Sequence, residues 1–103
     1  KGINVFIAEC KLWKGESELS KAIDQLLDRY VTWRDEKVAL IVFNKDMKKF
    51  TELMTKAVEK LKEHPQFDKY IGKRKDSSYQ FTFKHPDDSE KIIKLELIIF
   101  NCI

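Results

Sequence analysis

The sequence has no membrane span: nowhere does it run for the roughly eighteen or more apolar residues that a spanning helix needs. It is also poor in the residues of metal and disulfide frameworks, with two cysteines and two histidines in 103 residues. Cys10 and Cys102 stand at opposite ends of the chain, and neither they nor His64 and His85 have metal-ligand spacing. A zinc site and a disulfide-stapled fold are therefore not expected. Thiol catalysis is disfavoured as well, because Cys10 has no base near it in a triad-like pattern. No internal repeat and no low-complexity segment occurs. The opening apolar stretch is too short for a signal peptide and lacks a small-residue cleavage site. Thiols without partners and no membrane segment make the cytoplasm the expected location and a membrane an unexpected partner.

What is present is the balance of a globular domain. Apolar residues make up 43% and charged residues 36%, which fits one domain over residues 1–103. The net charge of +3 permits nucleic-acid binding without requiring it, because a patch matters more than a total. The chain opens at Lys1 and enters a core-type apolar run within three residues, so it is expected to be part of a longer protein.

Ile3 to Ala8 reads as a strand buried on both faces, with Glu9-Cys10-Lys11 at its end. Extended geometry sends the side chains of Glu9 and Lys11 to one face and that of Cys10, expected to be buried, to the other. Gly15 supplies a turn, and Ser17 reads as the N-cap of a helix running to about Trp33. Leu19, Ala22, Ile23, Leu26, Leu27, Tyr30 and Val31 give that helix one apolar face. After the charged connection Arg34 to Lys37, Val38 to Phe43 is a second continuous apolar run. Strand, helix and strand in this rhythm predict a βαβ unit with parallel strands near Val5 and Ile41.

A second helix is expected from a cap at Asn44 or Asp46 to about Glu63, ended by Pro65. Met47, Phe50, Leu53, Met54, Ala57, Val58 and Leu61 form its inner stripe. Gln66 to Ser78 reads as a polar connection carrying the basic cluster Lys73-Arg74-Lys75. Tyr79, Phe81 and Phe83 alternate with polar residues as a half-buried strand does, and Ile92 to Phe100 reads as the last strand. These two predict an antiparallel hairpin. The expectation is an α/β fold with a mixed sheet, a βαβ unit, two helices and a C-terminal hairpin. Pro86-Asp87 reads as a turn.

Glu9-Cys10-Lys11 after an apolar strand, followed by an amphipathic helix and a parallel strand, resembles the (D/E)-x-K part of the PD-(D/E)xK, or restriction-endonuclease-like, nuclease superfamily. The resemblance covers roughly the first 45 residues. It implies metal-dependent hydrolysis of DNA phosphodiester bonds. Glu9 and the carbonyl of Cys10 would then hold Mg²⁺ or Mn²⁺. Lys11 would orient the attacking water, or stabilise charge on the phosphate. Gln25 would reach the site from the following helix, although the tyrosine that often follows four residues on in such nucleases is here five residues on, at Tyr30. Trp13 and Lys14 would contact nucleic acid beside the triplet, and Lys73, Arg74 and Lys75 from their loop. The plainer reading of Trp13 is packing beneath the helix.

The family's other acidic ligand precedes the triplet on another strand, and no acidic residue lies between Lys1 and Ala8. On its own the chain is therefore expected to be inactive. A non-catalytic nuclease-like module that binds nucleic acid or protein is the alternative. The absent core strands would leave the edge of the first strand open, which invites a homodimer through sheet edges.

Overall fold

A computed structural model describes residues 7–29, 37–75, 78–85 and 90–102. The elements are β1 (Ile7–Leu12), α1 (Glu16–Arg29), β2 (Lys37–Asn44), α2 (Phe50–Lys62), β3 (Phe67–Lys75), β4 (Ser78–Lys84) and β5 (Ile92–Asn101). The strands form a five-stranded sheet in the order β1-β2-β5-β4-β3. β1 and β5 flank β2 in parallel, whereas β4 is antiparallel to both β5 and β3. The expected βαβ unit and the β4–β5 hairpin are both present, in a mixed α/β fold. The expectations for Ile3 to Phe6, for the helix beyond Arg29, for Arg34 to Glu36 and for Pro86-Asp87 lie outside the described residues.

Alternation along the strands decides where the core sits. Val38, Leu40 and Val42 of β2 join Tyr79, Phe81 and Phe83 of β4 and Ile93, Leu95, Leu97 and Ile99 of β5 in one buried cluster. The apolar stripes of both helices enter the same cluster, with Leu19, Ile23, Leu26 and Leu27 from α1 and Leu53, Ala57, Val58 and Leu61 from α2. Both helices therefore cover one side of the sheet, and they pack against each other. The opposite side carries Lys37, Ile41 and Phe43 of β2 beside Lys94, Ile98 and Phe100 of β5, in register.

Several boundaries differ from expectation for local reasons. α1 starts at Glu16, one residue before the expected cap at Ser17, and the carbonyl of Gly15 accepts from the N–H of Leu19 at 3.2 Å. Gly15 has φ +105, a left-handed value that glycine adopts without a side-chain clash, so the expected turn is where it should be. α2 starts at Phe50, behind Lys49, which makes no side-chain cap bond. Asn44 does not cap it because its side chain is engaged earlier. Its Oδ1 accepts from the N–H of Met47 at 2.9 Å and its Nδ2 donates to the Met47 carbonyl at 2.7 Å.

The largest correction concerns Gln66 to Ser78. Most of this stretch is the strand β3, not a polar connection. Its pairing with β4 is interrupted by register shifts between Phe67 and Lys69, Tyr70 and Gly72, and Lys73 and Lys75. Each shift breaks the two-residue period that marks a strand in sequence. Aromatic contacts hold it in place: Phe67 meets Phe83 at 6.1 Å and Tyr70 meets Phe81 at 5.2 Å between ring centroids.

Candidate nucleic-acid interface

β1 lies at one edge of the sheet, and its register fixes where each side chain of the triplet points. Glu9 pairs with Leu40 and Lys11 with Val42, so both lie on the side that carries the helices. Cys10 pairs with Ile41 and Leu12 with Phe43, which puts them on the open side. Cys10 was expected to be buried, but its thiol is exposed, because it leaves an edge strand on the face that neither α1 nor α2 covers. Glu9 is half-buried and Lys11 exposed, on one face as expected, but the triplet lies within β1 and not at its end, because the strand continues to Leu12.

The chain leaves β1 through Trp13, whose N–H donates to the carbonyl of Phe43 at 2.8 Å. Gly15 then reverses it into α1. This tight return sets one side of α1 against the end of β1. Glu18, Lys21, Ala22 and Gln25 recur at three- and four-residue steps and so share that side. With Cys10 to Gly15 they line a groove of about 440 Å³ whose floor includes the buried Leu19, Ala22 and Val42.

The groove gathers four residues that the sequence singles out, Lys11, Trp13, Lys14 and Gln25, and Cys10 borders it although its side chain leaves the other face. The groove adds Lys21, which sequence reasoning passed over although it sits one helical turn before Gln25. Trp13 is half-buried and packs on the core cluster while it lines the groove, so its packing role is real. Three lysines face one glutamate here. That glutamate, Glu18, meets Lys21 at 3.5 Å in an exposed pair, which is worth little in water and leaves the groove cationic.

The basic cluster of β3 is elsewhere. Lys73-Arg74-Lys75 belongs to the strand at the opposite edge, four strand spacings or about 19 Å from β1. It is not a loop, and Arg74 is drawn to Glu96 of β5 at 3.1 Å. The Oγ of Ser78 donates to the other oxygen of Glu96, which fixes that carboxylate from two sides. This cluster therefore cannot act in the same small site as Glu9 and Lys11.

The fit of a divalent metal can be judged from the donors. Mg²⁺ requires near-octahedral oxygen ligands, usually one or two carboxylates, waters and substrate phosphates. Among the described residues no three of the His, Cys, Asp and Glu side chains gather into such a group. Glu9 is the one acidic side chain of the triplet, and it lies outside the lining of the groove. The described residues alone do not make up that shell. Comparison with protein-family models, with curated proteins and with solved structures finds no match to this chain.

Proposed function

We propose that this domain is a nuclease-like binding module that takes the phosphate backbone of a nucleic acid, DNA first, along the groove between β1 and α1. The observation that carries this reading is the convergence of Lys11, Lys14 and Lys21 with Gln25 and Trp13 in one groove. Lysines neutralise phosphates as mobile point charges and release condensed counterions, which supplies most of sequence-independent affinity. The amide of Gln25 can donate to a phosphate or sugar oxygen, a contact that positions the strand without reading its sequence. The exposed part of Trp13 offers a surface against a sugar or base. Fluorescence anisotropy with labelled single- and double-stranded DNA is the direct test. Binding at low salt that Lys11→Ala and Lys14→Ala both weaken supports the reading. No binding of either DNA at low salt overturns it.

The order of triplet, helix and parallel strand favours a second reading, metal-dependent phosphodiester hydrolysis by a longer form of the protein. Glu9 would then be one ligand of Mg²⁺ or Mn²⁺, and the Cys10 carbonyl another. A further carboxylate would come from chain beyond these residues. The bound ion would supply an activated water and charge neutralisation on the phosphate. Lys11, two residues past Glu9 on the same face of β1, would orient that water. Mn²⁺-dependent plasmid cleavage by the longer form, abolished by Lys11→Ala, is the result that would establish this reading over simple binding.

A further inference from the structure

We infer that the outer edge of β1 is a self-complementary surface, and that two copies of this chain join through it into one continuous sheet. Among the described residues β1 pairs with β2 alone, and no described strand runs along its other side, which makes it an edge strand. The two edges of the sheet differ in kind. β3 is protected by three register shifts, by Gly72 and by the exposed Lys69, Lys73 and Arg74, the usual devices that prevent edge pairing. β1 has six pairs in unbroken register with β2, so its other edge runs straight.

The sequence of β1 selects the partner. A two-fold axis normal to the sheet keeps the helices of both copies on one side and makes the new strand pair antiparallel. Directly opposed residues then share a face, as they do in any antiparallel pair. With the axis at Glu9 or at Lys11, like charges oppose each other. With the axis at Cys10, Glu9 of each copy stands opposite Lys11 of the other, on both sides of the axis. Cys10 meets its own counterpart, and Ala8 stands opposite Leu12. The same arrangement brings the two cationic grooves together, because Lys11 lines each groove beside the axis. The inference does not depend on what the groove binds.

Sedimentation equilibrium on the purified chain, with charge-reversed variants, is the test. The wild type is expected at twice the mass of one chain. Glu9→Lys and Lys11→Glu each oppose like charges at this register, so each alone is expected as a monomer. Mixed in equal amounts they restore acid against base and are expected to form a heterodimer. Circular dichroism melts matching the wild type confirm that each variant is folded. In a Cys102→Ser background, diamide should link two Cys10 thiols across the axis, itself taking up the two electrons and two protons released. Directly opposed Cα atoms are roughly 4.5–5.5 Å apart, within disulfide reach. A monomeric wild type, a dimer unaffected by both reversals, or a mixture that stays monomeric overturns the inference. A dimer that does not crosslink through Cys10 overturns the register.

Discussion

His64, in the turn after α2, donates from Nε2 to Oδ1 of Asp24 on α1 at 2.5 Å, across forty residues of sequence. The direction follows from the other ring nitrogen. Nδ1 accepts the N–H of Gln66 at 3.1 Å, so the proton resides on Nε2. The ring is buried edge-on to Phe83, with centroids 5.5 Å apart, whereas most of the Asp24 side chain faces solvent. One imidazole thus fixes the exit of α2, the start of β3 and the spacing of the two helices.

The two ends of this bond should respond unequally to mutation. His64→Ala opens a cavity beneath Phe83 and leaves the Gln66 N–H without its acceptor, a loss of about 2–4 kcal/mol. Asp24→Asn keeps an acceptor at an exposed position and should cost less than about 1 kcal/mol. Urea unfolding midpoints of the two variants measure the difference.

Asn44 ends β2 fully buried, and its amide satisfies three contacts at once. Besides the turn at Met47, Nδ2 donates to Oδ1 of Asn101 at 3.0 Å and ties the ends of β2 and β5 together. Asn44→Ala removes these partners without admitting water, which should cost about 2–4 kcal/mol. For a domain of this size each kcal/mol moves the melting midpoint by about 4–8 °C, so a drop of about 10 °C or more is expected by calorimetry. Asn44→Asp should be no better, because a carboxylate would face the Met47 carbonyl and the Asn101 oxygen.

Tyr79 gives stability an alkaline limit. Burial pushes its phenol pKa above the usual value of 10.0, and the nearby Tyr70 adds to the shift. The hydroxyl donates to Sδ of Met54 at 3.3 Å. A raised folded-state pKa means that the neutral phenol is favoured in the native state. Its contribution is complete below the unfolded pKa and is lost as pH rises through the folded value. Tyr79→Phe should match the wild type within about 1 kcal/mol at neutral pH and show a shallower loss above pH 10. Urea midpoints at both pH values test this.

The parts of the fold that were legible in sequence are those where one physical signal dominates. Val38 to Phe43 had no competing polar period, and Tyr79, Phe81 and Phe83 alternated without interruption, so both strands were readable. The three register shifts of β3 scattered Phe67, Tyr70 and Lys73 out of step, and lysines that guard an edge resembled a loop. Asn44 looked like a cap because Asn often is one; only the fold shows that Asn101, far along the chain, shares its amide. At the groove the strand-turn-helix order was enough to bring Gln25 towards Lys11. Lys21 was missed because nothing in its local sequence separates a groove lysine from a solvated one. The separation of Lys73-Arg74-Lys75 from the triplet depends on strand order, which pattern alone does not determine.

Strand order also supplies the sharpest control on the nucleic-acid reading. A lysine that neutralises one phosphate reduces the slope of log K against log salt by about 0.7–0.9, the lower value for single strands. Lys11→Ala and Lys14→Ala are each expected to lower the slope by that amount. Gln25→Ala removes a neutral donor, so affinity should fall while the slope holds. Lys73→Ala, at the opposite edge of the sheet, should change neither. Anisotropy titrations across a salt series separate these cases. Equal effects from Lys73 and Lys11 would mean that charge alone, and not the groove between β1 and α1, governs binding.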